Sequence, residues 1–279
     1  MNLEELIEKY TNDQSRFVEV DGHSVHYRDE GEGEVLLLVH GTFASLHCFD
    51  EWVELMKSKF RVVRLDLPGF GLTGPTPDNK YGIDRFCEFL NQFLKVLEIS
   101  KCSIAGNSLG GWLCWEFAVR FPFRVNKMIL IDSAGYISDG SYPLPFVIAQ
   151  TPVLRNVFNY VPKAVVRRFL RQVFYDQTKV TEQVVQRYFD LFHREGNKEA
   201  FVKIANVSYV QNTDKLNLLQ MPVLVMWGEK DSWIGMDHAD KFCNDLKFAE
   251  KIIYPGVGHV PMEEIPAQTA NDALTFLLN

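Results

Sequence analysis

Gly106-Asn107-Ser108-Leu109-Gly110-Gly111 places a serine with a glycine two residues before it and another two residues after it. Cys102–Ala105, just upstream, reads as a buried strand. Leu109–Phe121 reads as a helix stopped by Pro122. Strand, sharp turn and helix in that order lift the serine hydroxyl clear of a sheet. The flanking glycines let neighbouring backbones approach closely. The positive end of the helix faces the place where charge develops on an attacked oxygen. The stretch predicts a serine nucleophile.

Outward from this turn, strands and helices alternate. Residues 17–20 and 24–28 flank Asp21-Gly22, a hairpin turn. Val35-Leu36-Leu37-Leu38-Val39 is continuously apolar, as a strand buried on both faces should be. Further strands are expected at 61–66, 127–132, 223–227 and 251–254. Helices are expected at 2–10, 48–58, 83–97, 236–247 and 267–278. The alternation breaks over 135–215, which begins with turns around Pro143, Pro145 and Pro152 and continues with helical stretches at 163–173, 181–194 and 198–211. The predicted fold is α/β, a doubly wound, mostly parallel eight-stranded sheet. Residues 1–134 and 216–279 form its catalytic domain, and 135–215 an inserted helical cap.

A serine hydroxyl needs a base, and the base needs an acid to orient it. On such a sheet they follow in the order acid, then histidine. Asp231 lies just past the strand at 223–227, and His259 just past the strand at 251–254. Both therefore sit at carboxyl ends of strands, where sites on open sheets collect. Asp132, at the end of the strand before the insertion, is the rival acid. Asp66 and Glu229 read as structural and turn-forming. An oxyanion needs two amide donors. Leu109 N–H supplies one, and the His40-Gly41-Thr42-Phe43 loop the other, from Thr42 or, next, Phe43. His40 reads as a brace for that loop.

Composition sets outer limits. The 279 residues are 47% hydrophobic and 23% charged, enough for a large core and too apolar for a disordered chain. The net charge of −7 argues against nucleic acid as a partner. Residues 135–215 nevertheless hold 11 Lys/Arg against 7 Asp/Glu. Cys48, Cys87, Cys102, Cys114 and Cys243 form no CxxC pair, so no zinc site is expected, and reduced thiols point to the cytoplasm. No run is long and apolar enough to cross a bilayer, and the N-terminus does not resemble a signal peptide.

HGTF at 40–43, DLPGFGLTGP at 66–75, GNSLGG at 106–111, WGEKD at 227–231 and GHVPMEEIP at 258–266 together resemble the α/β-hydrolase family, in its serine-nucleophile, esterase- or lipase-like branch. The resemblance spans nearly the whole chain outside 135–215. It implies no metal and no organic cofactor. Epoxide- and halide-processing relatives carry an aspartate where Ser108 stands, which disfavours both activities. The main expectation is hydrolysis of a small-molecule carboxylic ester, short- to medium-chain or lipid-like, by water through an acyl-enzyme. Relatives that cleave carbon–carbon bonds in ring-fission dienoates have a similar serine turn and are the alternative. They often have Trp after the histidine, where this chain has Val260, and an arginine in the cap, for which Arg167, Arg168 and Arg171 are candidates. Receptors of the same fold are a further class. Trp233 and Val260 are the expected substrate-binding residues, beside Phe43 and Leu109. Cap aromatics such as Phe146, Phe158, Tyr160, Phe169, Tyr175 and Phe192 should mostly pack as core. The basic face of 163–171 is solvated, or touches a membrane surface. Nothing in the sequence distinguishes a monomer from an oligomer.

Overall fold

The computed structural model describes residues 2–136, 143–208 and 211–279. Its strands are β1 (Ser15–Val20), β2 (His23–Glu30), β3 (Glu34–Val39), β4 (Phe60–Leu65), β5 (Cys102–Asn107), β6 (Val125–Ile131), β7 (Val223–Gly228) and β8 (Ala249–Tyr254). They form one sheet in the order β1-β2-β4-β3-β5-β6-β7-β8. β2 runs antiparallel to both of its neighbours, and the strands from β4 to β8 are parallel. This is the predicted α/β-hydrolase sheet.

The helices are α1 (Leu3–Tyr10), α2 (Asp50–Met56), α3 (Ile83–Val96), α4 (Leu109–Arg120), α5 (Leu144–Gln150), α6 (Lys163–Val173), α7 (Glu182–Phe192), α8 (Asn197–Ala205), α9 (Asp237–Asp245), α10 (Pro261–Glu264) and α11 (Pro266–Leu278). Alternate residues of the parallel strands point to opposite faces. Leu36, Leu38, Ile129 and Met226 pack with α2 and α11 through Trp52, Met56 and Leu277. Leu37, Ile104, Leu130 and Val225 pack with α3, α4 and α9 through Phe93, Trp115 and Phe242. Burial on both sides explains why the strands read as unbroken apolar runs.

Several local expectations shift. The predicted helix 48–58 divides into a 3-10 turn, Leu46–Phe49, and the shorter α2. The turns expected around Pro143 and Pro145 include helix α5, because proline is tolerated in a first helical turn. α8 ends at Ala205; the expected continuation to 211 runs into 209–210, outside the described residues. The start of the predicted insertion, 135–215, likewise includes 137–142, outside the described residues. The thiols of Cys48, Cys87, Cys102 and Cys114 are buried and that of Cys243 is half-buried, all of them free. Among the described residues no helix is long and apolar enough to cross a membrane.

Strand register is what positions the site. Val39 lies opposite Gly106, Asn107 opposite Ile131, Ile131 opposite Met226, and Gly228 opposite Tyr254. The chain therefore leaves β3, β5, β6, β7 and β8 along one edge of the sheet. The loops that follow hold 40–43, Ser108, Asp132, Asp231 and His259.

Candidate active site

Ser108 caps α4 with φ 55° and ψ −116°, a conformation that L residues avoid. Such backbone costs about 1–3 kcal/mol and needs external support. Here Ser108 N–H donates to the Ile131 carbonyl at 3.0 Å. The Ser108 carbonyl accepts from Trp112 at 3.0 Å and Ala134 at 3.1 Å. The flanking glycines are sterically required. A Cβ on Gly106 would lie 2.4 Å from the Gly110 backbone, and one on Gly110 would lie 2.2 Å from the Val39 carbonyl oxygen. The turn can exist only where three backbones meet.

His259 is 3% exposed. Its Nδ1 lies 2.7 Å from Asp231 Oδ2. The other Asp231 oxygen accepts from the amides of Trp233 at 2.7 Å and Ile234 at 3.1 Å. Since an ionised carboxylate can only accept, Nδ1 carries the proton and Nε2 is left with its lone pair. Nε2 is buried and has no hydrogen-bond partner among the described residues. Asn107, the residue before Ser108, donates its side-chain amide to the His259 carbonyl at 3.0 Å. The serine turn and the histidine loop are thereby tied together. Sequence reading missed this tie, because Asn107 had no motif role beyond occupying a variable position.

Asp132 lies beside this pair but does not take Asp231's place. One of its oxygens accepts from Gly228 N–H at 3.0 Å. Burial, and then the negative charge of Asp231, push its carboxyl well above the usual range. Its protonated form is therefore favoured over that of an ordinary carboxyl. Donor atoms of Asp132, Asp231 and His259 lie within 4.8 Å of one another, the one such cluster among the described residues that could surround a metal ion. The hydrogen bond between His259 and Asp231 already occupies the facing donor atoms.

The loop after β3 abuts Ser108. A Cβ on Gly41 would lie 3.0 Å from the Ser108 Cβ. His40 braces this loop. Its Nε2 accepts from Leu67 N–H at 2.9 Å, so Nδ1–H donates to the Gly41 carbonyl at 2.7 Å. Thr42 is half-buried, and Phe43 is buried in the left-handed region with φ 66°. Leu109, at the first turn of α4, is buried against the same edge. Asp66 is structural, as expected. Burial opposes its ionisation, but His26 holds it well below the usual range, and it accepts from Leu46 and Leu72 amides at 2.8 Å each. Glu229 accepts from Gly256 N–H at 3.0 Å within its turn.

Over the serine turn lies a shell of aromatic rings. Phe43 touches Phe169, Phe192 and Phe201 with ring centroids 4.9, 5.4 and 4.2 Å apart. Trp233 lies 5.0 Å from Phe169 and 5.5 Å from His259. Val260 is buried in the same cluster. The cap arginines expected to face a substrate carboxylate do not face this shell. Arg167 pairs with Glu182, and Arg168 and Arg171 are exposed. On α6, Val166, Phe169, Leu170 and Val173 take the inward positions, and helical spacing sends the arginines out. Of the other arginines in 135–215, Arg187 is paired with Glu263, Arg194 donates to Thr73 and Glu195 carbonyls, and Arg155 is exposed.

Glu264, 1% exposed, was also not singled out from sequence. It accepts from Tyr175 at 3.0 Å, Asp176 at 2.8 Å and Gly258 at 3.1 Å. His259 N–H donates to the Val173 carbonyl at 2.8 Å. The end of α6 is thus clamped to the histidine loop. A cavity of about 620 Å³ between α1, α2 and α7 includes none of Ser108, Asp231 and His259. Of its lysines and arginines, Lys9, Arg28 and Arg187 are paired with Asp190, Asp50 and Glu263, and Lys179 is exposed.

The family description "alpha/beta hydrolase fold" matches residues 34–266. The 2-hydroxy-6-oxo-6-(2'-aminophenyl)hexa-2,4-dienoic acid hydrolase of Metapseudomonas resinovorans is 27% identical over 274 residues, 94% of this chain and 90% of that protein. The 2-hydroxy-6-oxo-6-phenylhexa-2,4-dienoate hydrolase of Comamonas testosteroni is 25% identical over 286 residues, 99% of each chain. Among solved structures, a serine hydrolase involved in carbazole degradation superimposes with a TM-score of 0.81 at 26% identity, over 94% of this chain and 98% of that one.

Proposed function

The chain belongs to the α/β-hydrolase family, and from that premise we propose that it is a serine hydrolase using Ser108, His259 and Asp231. The observation that carries this reading is the buried, unpartnered Nε2 of His259, whose other nitrogen is held by Asp231. An imidazole so arranged can take the Ser108 proton as the hydroxyl attacks a carbonyl carbon. The amides of Leu109 and Thr42, with Phe43 next, receive the oxyanion. His259 returns the proton to the leaving group, and water activated by the same nitrogen releases the acid. The helices between β6 and β7 act as the lid.

For the bond cleaved, the site favours a neutral, apolar carboxylic ester. The rings of Phe43, Phe169 and Trp233 face it, and each arginine of 135–215 is exposed, paired with a carboxylate or bonded to carbonyls. A dienoate carboxylate would be desolvated there without a cation. Carbon–carbon cleavage is the second reading, and the named relatives support it more directly than ester cleavage. The test compares kcat/KM for p-nitrophenyl esters of increasing chain length with that for a 2-hydroxy-6-oxo-dienoate. The ester reading expects the larger value with an ester, and a larger value with the dienoate would replace it. Ser108→Ala should lower turnover of either by at least about 10³-fold with the fold intact, as loss of a triad nucleophile does. Undiminished turnover would remove the mechanism.

A further inference from the structure

Residues 140–175 contain Arg155, Lys163, Arg167, Arg168 and Arg171 and no aspartate or glutamate, in a chain of net charge −7. The same stretch is unusually apolar on its outside. Of the seventeen large hydrophobic side chains exposed among the described residues, seven lie between Leu144 and Val165. Val153 is 82% exposed, Tyr160 80% and Val157 55%. Such concentration is uncommon on a surface that meets only water. The arrangement is two-faced. In the 3-10 turn Arg155–Asn159, Phe158 points inward and packs on Phe201 and Phe192, centroids 5.2 and 6.3 Å away. Both of those rings touch Phe43, beside the serine turn. On α6, Val165, Arg168 and Gln172 share one exposed helical face, with Arg171 beside it.

We propose that this stretch, through exposed Val153, Val157, Tyr160 and Val165 together with exposed Arg155, Arg168 and Arg171, docks onto an anionic lipid bilayer. The aliphatic side chains would enter the acyl boundary, the tyrosine would sit at headgroup level, and the guanidinium groups would meet lipid phosphates. Charge favours this occupant over a second copy of the chain. A two-fold contact through this face would set arginines against their own copies, with no acid in the stretch to neutralise them. Docking here puts the bilayer on the outer side of the turn whose inner ring reaches the aromatic shell over Ser108. Entry of substrate from the bilayer rests on the proposed ester reading; docking itself does not.

Flotation of the full chain with vesicles tests this. One set contains about 30% phosphatidylglycerol in phosphatidylcholine, and the other is pure phosphatidylcholine, each at about 50 and about 500 mM salt. The expected result is capture on the anionic set at low salt, weakened at least about tenfold by high salt or by neutral lipid. Arg155→Gln with Arg168→Gln and Arg171→Gln should remove the salt dependence. Val153→Ser with Val157→Ser and Tyr160→Ser should weaken capture at least about tenfold while turnover of a water-soluble ester stays unchanged. No capture of the parent protein on anionic vesicles at low salt would overturn the proposal without recourse to a variant. Equal capture on both vesicle sets would overturn it too. So would a dimer in light scattering that the serine variant dissociates, because the face would then belong to a second copy. Loss of turnover in Ser108→Ala with capture retained would leave docking standing apart from the reaction.

Discussion

At the scale of single residues, the site turns on two aspartates placed side by side. Asp231 holds the His259 proton, and Asp132 accepts from Gly228 N–H and is pushed above the ordinary carboxylate range by burial and by Asp231. Asparagine is therefore a fair mimic of Asp132 and a poor one of Asp231. Asp231→Asn should lower kcat/KM by about 10²–10⁴-fold, because the imidazole loses its orienting charge. Asp132→Asn should keep activity within about tenfold of the parent. Steady-state kinetics of the two variants distinguishes them, and the reverse ranking would make Asp132 the working acid. Stability adds a check. A carboxyl whose folded pKa is raised stabilises the fold below its unfolded pKa and loses that contribution as pH rises toward the folded value. Thermal unfolding of Asp132→Asn should therefore gain on the parent as pH climbs from the carboxylate range to neutrality.

At the scale of elements, α6 and the histidine loop behave as one piece. Glu264 gathers three amides, those of Tyr175 and Asp176 just past α6 and that of Gly258, while His259 N–H meets the Val173 carbonyl at the end of α6. Glu264→Ala leaves buried donors unpaired and should cost about 3 kcal/mol, read as a lowered urea midpoint. Because the clamp also positions His259, kcat should fall more than KM changes. A variant as stable and as active as the parent would show that the clamp is idle. This coupling was not legible in the sequence. GHVPMEEIP marks where the histidine lies, but nothing local says that Glu264 reaches amides 88 and 89 residues away. The solvated face read for the α6 arginines is found, and only their role toward a substrate carboxylate is not. Their spacing showed a basic face, and the packing of Phe169 and Leu170 turned that face away from the site.

Across the whole molecule, histidine burial sets the response to acid. His23, His40, His47, His193 and His238 are each lowered, with burial the largest cause. His47, beside Arg28, falls to about 4. A histidine kept neutral when folded stabilises the fold above its unfolded pKa of about 6.5 and loses that contribution as pH falls through the folded value. The melting temperature should therefore drop between about pH 6.5 and pH 4. His47→Gln should flatten that part of the curve, and a profile unchanged by the substitution would place the acid sensitivity elsewhere. The same global view explains the uneven charge. Net acidity belongs to the sheet, and the acid-free described stretch 143–175 to the helices over it.

The order of strands and helices, the eight-stranded sheet and the identity of Ser108, Asp231 and His259 as candidates could be read directly from the chain. Each of these signals is local. Apolar runs record burial on both faces, glycines record backbone contact around the serine turn, and a residue just past a strand lies at the sheet edge. The choice between Asp132 and Asp231 and the Asn107 and Glu264 ties depended on which distant backbones and helix faces came to lie together. Those contacts join β6 to β7, β5 to the histidine loop, and α6 to α10. No period or motif along one segment encodes them, because the energy that selects each arrangement comes from burying two segments against each other.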